Sequence, residues 1–367
     1  MKIAFVSAAR SSHTIKWVNA LAKKGHEVHL YSLRDHENTL KNIDDRVEIV
    51  YLKYPGFKGY FTNAAELRQK IAEFSPDIIN AHYASGYGTL IRLAKVHPLL
   101  LSVWGSDVYD FPLKSAIHKY LVNQNLKKAD AVASTSYVMA DQVRKLFHYE
   151  KPIFITPFGV DCNLFSPKSV EKKGFCVGTV KALETKYGIN YLIRAFGLLV
   201  QKMPEDTDLR LLIYGKGSKR EELQQLIDHL GLSEKAKLCG AVPNTQVPEL
   251  INEMDVLCLP SILNSESFGV AAVEAMACAV PVVASDVDGF RATVEDGVTG
   301  YVVPKQDAQI IADKLYGLAV NPSLREKLGK AGRERVLRLY DFEKNVDEME
   351  DCYRKTIKLF EEKNKKK

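Results

Sequence analysis

The chain has 367 residues, 46% hydrophobic and 26% charged, with 22 Gly and 14 Pro, which is sequence enough for two cores and excludes a disordered or fibrous polypeptide. No apolar run approaches the ~18 residues of a membrane-spanning helix, and the opening MKIAFVSAAR turns polar too soon for a secretory signal, so a cytosolic protein is expected. The net charge of +6 is confined to one half: residues 1–165 hold 21 Lys and Arg against 15 Asp and Glu, and residues 166–367 hold 30 of each.

A basic first half suits an anionic membrane surface or an acidic small molecule. Nucleic acid is disfavoured, because no basic stripe is interleaved with aromatics. The six cysteines (Cys162, Cys176, Cys239, Cys258, Cys278, Cys352) stand singly, without a C-x-x-C pair or a His at ligand spacing, so free thiols and no structural metal are expected.

Short apolar runs alternate with longer amphipathic stretches, the pattern of parallel sheets with crossover helices. In chain order the sequence predicts strands at Ile3–Ala8, Glu27–Leu33, Val47–Leu52, Asp77–His82, Leu99–Val103, Ala131–Ser134 and Ile153–Pro157. A second series follows at Phe175–Val180, Leu209–Tyr214, Lys237–Ala241, Val256–Pro260, Pro281–Ser285 and Gly300–Val303. Helices are predicted at about 190–202, 219–230, 269–279, 307–319 and 323–339. The Pro- and Gly-punctuated stretch Thr156–Pro167 reads as a linker, dividing the chain into residues 1–160 and 161–342. A charged amphipathic helix over about 343–367 ends in a Lys-rich tail and is expected to pack back on the first half.

Ligands of open parallel sheets bind at strand exits. The most informative exit is Ser261–Ala279, a polar loop feeding a helix apolar on every face except at Glu274. Such a helix should be buried, so Glu274 either forms an internal ion pair or faces a ligand. Glu266 lies eight residues earlier, just outside the helix, followed by Phe268, Gly269 and Val270, whose free N–H groups can face an anion. Two carboxylates at different depths with an anion site between them suit a nucleotide sugar, since a carboxylate accepts hydrogen bonds from neighbouring hydroxyls. Lys181 and Lys186 follow the strand that contains Gly178, and either can neutralise a pyrophosphate or remain a solvated lysine. Gly215 begins a further glycine-lined exit.

Three elements together carry a family resemblance: Glu266-Ser-Phe-Gly-Val-Ala-Ala-Val-Glu274, the linker Pro157-Phe-Gly-Val-Asp161 with Phe165 and Pro167, and Asp296-Gly-Val-Thr-Gly-Tyr301 with Pro304. The sequence resembles the family 4 retaining glycosyltransferases of the GT-B fold. The resemblance implies an α/β protein of two Rossmann-like, doubly wound domains facing across a cleft, with an acceptor on residues 1–160 and a nucleoside-diphosphate sugar on residues 161–342. It implies no cofactor and no essential metal. By the same resemblance Glu266 meets hydroxyls of the transferred sugar, Glu274 the ribose, and Lys186 with the backbone at Phe268–Val270 the diphosphate. The chain departs from the pattern at three places. Gly178 is followed by Thr179 and not Arg, which leaves Lys181 as the substitute cation. Trp104, in the loop that ends at Asp107, stands where the family has a catalytic His, leaving His82 at the preceding strand end as a candidate. The first loop lacks the family's Gly-Gly and offers Arg10 and His13.

The expected activity is transfer of a hexose to a glycan or lipid-linked acceptor, as in bacterial surface polysaccharide or glycolipid synthesis. The alternatives are a nucleotide-sugar epimerase of the same fold and a silent nucleotide-sugar binder; no strand runs into G-x-G-x-x-G, which disfavours a dinucleotide oxidoreductase. Peripheral membrane contact is raised by His13–Lys24, where Ile15, Trp17, Val18 and Leu21 lie beside Lys16, Lys23 and Lys24; the competing reading packs this helix on its own sheet.

Overall fold

The computed structural model of the protein describes residues 1–365. The chain forms two compact units, one of Met1–Phe158 joined by the segment that begins at Glu343, the other of Gly159–Phe342.

The first unit contains β1 (Lys2–Val6), β2 (Glu27–Leu33), β3 (Val47–Leu52), β4 (Ile78–His82), β5 (Leu99–Val103), β6 (Ala131–Ser134) and β7 (Ile153–Ile155), in the order β3-β2-β1-β4-β5-β6-β7. The second contains β8 (Phe175–Val180), β9 (Leu209–Tyr214), β10 (Ala236–Gly240), β11 (Val256–Leu259), β12 (Val282–Ser285) and β13 (Gly300–Val303), ordered β10-β9-β8-β11-β12-β13. Every pairing in both sheets is parallel among the described residues. This is the doubly wound arrangement expected from the sequence, and it explains the strand compositions: a central parallel strand is covered on both faces, so β5 reads LLLSV with every residue buried. Predicted ends differ by a residue or two where Pro or a turn ends the pairing, as at β7, which stops at Ile155.

The crossover helices follow their apolar period. In Ile189–Lys202 the buried positions are Ile189, Leu192, Ile193, Ala195, Phe196 and Leu199, one continuous stripe against the sheet. Burying a side chain such as Phe196 contributes about 1.5–3 kcal/mol. Helix Ser12–Lys23 buries Ile15, Trp17, Val18 and Leu21 in the core of its own unit, so the apolar face that raised membrane contact is already occupied.

The last helix, Phe342–Lys365, belongs to the first unit from Glu343 on. It buries Val346, Met349 and Tyr353, and the Tyr353 hydroxyl donates to Asn80 Oδ1 at 2.9 Å. Glu350 on the same face meets Lys24 at 3.2 Å and pairs with His26; those partners hold its carboxyl below the usual range against the opposing effect of burial.

Candidate active site

The strand order of the second unit reverses between β8 and β11, which is where open α/β sheets receive ligands. Two loops leave these strands side by side, residues 181–188 after β8 and 260–269 after β11. They are joined through the backbone: Ile262 N donates to Lys186 O at 2.9 Å. Gly188, at φ +61°, sits so close to the second loop that a Cβ would fall 2.2 Å from Pro260 O.

This juxtaposition brings the candidate charges together. Lys181 Nζ lies 2.6 Å from Glu266 Oε2, and the two side chains are only 14% and 13% exposed. Both Lys181 Nζ and Lys186 Nζ stand 4.9 Å from the centroid of the Tyr187 ring. Two ammonium groups therefore lie against one aromatic ring, a contact that favours cations, and one of them is paired with a carboxylate. Lys305 adds a further cation, donating to Asn264 Oδ1 at 2.6 Å in the second loop. Sequence reading missed Tyr187 and Lys305; the only signal for the first was an aromatic next to Lys186, and Lys305 is brought in by the exit of β13.

Supporting contacts fix the loops. Glu184 accepts from Ser218 N at 2.8 Å and Ser218 Oγ at 2.7 Å, which holds its carboxyl below the usual range. Gly215 leaves room for the Lys181 loop, since a Cβ there would lie 1.9 Å from Lys181 O. Gly178 lies inside β8, where a Cβ would meet Met254 Sδ at 2.1 Å, so packing against Met254 requires a glycine there.

Helix Val270–Ala277 starts from Gly269, whose φ of +76° favours glycine, and no side chain caps it. Its first-turn N–H groups point out of the end of the helix, as an anion site requires. The loop before it presses on the neighbouring helix Asp288–Thr293: Gly289 N donates to Glu266 O at 2.9 Å, and a Cβ on Gly289 would fall 2.3 Å from that oxygen. Phe268 is buried with its ring edge-on to Tyr340, so its side chain serves the core and only its backbone faces the loop. Glu274 is half-buried about one turn into a helix whose residues 271–273 and 275–277 are buried.

In the first unit the corresponding reversal lies between β1 and β4. Five rings cluster near it: His13 stacks on Phe158 at 3.9 Å, His82 on Phe5 at 4.3 Å, and Trp104 stands edge-on to His82 at 4.4 Å and to His13 at 5.6 Å. Asn80 Nδ2 donates to Leu100 O and Ser102 Oγ, which leaves its Oδ1 to accept from His82 Nε2 at 2.8 Å. The proton of His82 is thereby fixed on Nε2, and Nδ1 is buried with no hydrogen-bond partner among the described residues. Burial keeps both imidazoles neutral: His82 is pushed well below its ordinary value, and His13 falls to about 4, with Lys16 adding to the effect.

Two further first-unit candidates make contacts within their own unit. Asp107 is buried, and its carboxylate accepts from Ala84 N (2.7 Å), Gly105 N (2.8 Å) and Trp104 N (3.1 Å). It staples the exits of β4 and β5; burial raises its pKa, opposed by those N–H donors. Arg10 is exposed and donates to Asp35 O at 3.1 Å, tying two loops of its own unit.

Comparison with known proteins accounts for both units. Residues 163–335 match the family described as Glycosyl transferases group 1, and residues 2–136 match Glycosyl transferase 4-like. The chain is 30% identical over 300 residues to a D-inositol 3-phosphate glycosyltransferase of Pseudarthrobacter chlorophenolicus, covering 74% of this chain and 69% of that one. It is 42% identical over 135 residues to a phosphatidyl-myo-inositol mannosyltransferase of Mycobacterium leprae, a match to 37% of this chain and only 35% of the relative. The solved structure of Anabaena HepE in complex with UDP shares the fold with a TM-score of 0.78 at 19% identity, over 96% of this chain and 99% of that one. With this sheet order repeated in two units and the family matched in each, the chain belongs to the glycosyl transferases group 1 family and is a glycosyltransferase of the GT-B fold.

Proposed function

We propose that the protein transfers a hexose, with retention of anomeric configuration, from a nucleoside-diphosphate sugar held by the Gly159–Phe342 unit to a glycan or lipid-linked acceptor. The observation that carries this reading is the grouping of Lys181, Glu266 and Lys186 around Tyr187 at the β8/β11 reversal, next to the glycine-headed start of helix Val270–Ala277. A diphosphate needs cations and free N–H groups, and both occur on these adjoining loops. A sugar needs carboxylates, and Glu266 stands beside the cations while Glu274 stands about one turn into the helix.

In this mechanism Lys186 and the N–H groups of Gly269 and Val270 neutralise the negative charge that builds on the leaving diphosphate, which is the main source of acceleration. Lys181, released from Glu266 when the diphosphate arrives, supplies a second cation. Glu266 then accepts from sugar hydroxyls and orients the ring, and Glu274 accepts from the ribose. The acceptor oxygen attacks from the face that the diphosphate leaves, and its proton passes to the departing phosphate oxygen. The binding of UDP in the Anabaena HepE structure supports trying a uridine donor first.

The test is a thermal-shift panel of nucleotide sugars, followed by product analysis with and without acceptor sugars and lipids. A donor that raises the melting temperature in the native protein, but not in Lys186→Ala, together with an α-linked product from an α-linked donor, supports the proposal. Inverted product rejects retention. Isomerised donor formed without acceptor points instead to an epimerase, and donor binding without turnover on any acceptor points to a silent binder.

A further inference from the structure

We propose that an aromatic-walled cavity in the first unit is a subsite for an apolar group of the acceptor, a ring or branched chain of about benzene's size. The inference rests on the transfer reading above and narrows its acceptor to a compound that carries such a group close to the hydroxyl that is glycosylated. The cavity measures about 120 Å³. Helix Gly56–Thr62, which follows β3, brings Phe57, Tyr60 and Phe61 to it; the turn after β4 brings Ser85 and Gly86; the connection from β5 to β6 brings Phe111 and Leu121. Three strand exits thus enclose it, on the edge where open parallel sheets receive ligands.

The cavity is held in shape by packing. A Cβ on Gly86 would fall 2.5 Å from Tyr60 Cζ, so the absence of a side chain lets that ring lie across the start of helix Gly86–Ala94. Tyr60 stands edge-on to Tyr87 at 5.3 Å, and the Tyr87 hydroxyl accepts from Leu33 N at 3.2 Å. Phe57 and Phe61, with ring centroids 5.4 Å apart, are 69% and 40% exposed and leave the mouth open. The Thr89 hydroxyl in the lining is already engaged, donating to Ser85 O (2.8 Å) and accepting from Asn125 Nδ2 (2.9 Å). Rings with few unengaged polar groups suit an apolar ligand. An apolar cavity of about 150 Å³ stays dry and takes up benzene, so this one is matched to a group of that size. Its place on the chain ties it to the acceptor. Ser85 lies two residues beyond Tyr83, whose backbone is held at φ +74° and whose ring stands edge-on to Trp104 at 5.5 Å, in the group that contains His82 and His13. Left-handed backbone at a bulky residue is strained, and such strain collects at binding sites. A group seated in the cavity leaves the rest of its molecule to follow the β4 exit toward these rings.

Saturation-transfer NMR with benzyl alcohol and prenyl alcohol, each against glycerol, tests the cavity without donor or sugar. The wild type is expected to bind at least one of the two alcohols and not glycerol; an arene-bearing acceptor favours the first and an isoprenoid one the second. Leu121→Trp fills the cavity and should weaken binding about tenfold or more. Leu121→Ala enlarges it and should admit naphthylmethanol, which the wild type excludes, so the test stands even if the tryptophan disturbs folding. In turnover across a panel of hexosides, the benzyl or prenyl compound should show a KM about tenfold below its methyl counterpart, an advantage that Leu121→Trp loses. A wild type whose melting temperature UDP does not raise fails the donor-site reading, whereas the alcohol measurement needs no donor. Absence of transfer to both alcohols overturns the proposal, as does equal binding by Leu121→Trp. Equal KM for benzyl, prenyl and methyl hexosides also overturns it, by separating the cavity from the acceptor.

Discussion

Lys181 and Glu266 neutralise each other, Nζ to Oε2 at 2.6 Å, across the two loops that leave β8 and β11. A pair this sheltered is asymmetric under mutation, because deleting either partner leaves the other charge poorly solvated. The expected consequence differs for the two. Glu266→Gln frees Lys181 for the diphosphate, so UDP affinity should hold or improve while sugar transfer falls by about a hundredfold. Lys181→Met should weaken UDP binding about tenfold and lower the melting temperature by leaving Glu266 unpaired. Calorimetric titration of UDP with both variants decides this; a loss of UDP affinity in Glu266→Gln would show that the carboxylate holds the cation in place and not the sugar.

Tyr187 is the shared surface of Lys181 and Lys186, each 4.9 Å from its ring centroid. Each such contact contributes about 0.5–1 kcal/mol at a partly exposed site. Tyr187→Leu keeps the packing volume and removes the ring, so donor affinity should drop about three- to tenfold with little change in melting temperature. A turnover defect at saturating donor, with affinity intact, would contradict this role.

The fold was legible because parallel strands are buried on both faces and show as uninterrupted apolar runs; β5, β8 and β12 could hardly be read otherwise. The candidate site was legible where chemistry and local pattern coincide, as at Glu274, since a carboxylate in an apolar helix stands out in one dimension. It was not legible where a residue's meaning depends on what the other strand brings. The choice between solvated and paired lysine at Lys181 turns on Glu266, 85 positions away. Likewise Gly178 is packed against Met254, and the Asp107 carboxylate accepts from Ala84 N, contacts between segments distant in the sequence. The apolar side of helix Ser12–Lys23 gave the same period for a membrane face and a core face, and only packing distinguishes the two.

Acid sensitivity should arise at the His13 and His82 rings. In the folded protein both are held neutral, His13 down to about 4 and His82 well below its ordinary value, whereas unfolded histidine titrates near 6.5. The unfolded chain therefore takes up protons below about pH 6.5 that the folded chain refuses, so their stabilisation is intact above that pH and is lost as pH falls toward 4. Urea midpoints measured from neutral pH downward should decline through this window. His13→Phe, which keeps the stack on Phe158, should flatten the decline, and an unchanged slope would remove His13 as its source.

Gly269 and Gly297 both occupy the left-handed region, at φ +76° and +73°, but differ in surroundings. A Cβ on Gly297 meets nothing within 4 Å, whereas on Gly269 it would come 2.6 Å from the Phe290 ring. Gly297→Ala should therefore cost only the backbone strain, about 1 kcal/mol, and leave donor binding unchanged. Gly269→Ala adds a collision that must displace either Phe290 or the start of helix Val270–Ala277, so it should cost about 2–3 kcal/mol and weaken UDP binding more than tenfold. If the two variants lose the same stability and both keep UDP, Phe290 yields without moving the helix, and the N–H groups at Gly269 and Val270 are not what holds the diphosphate.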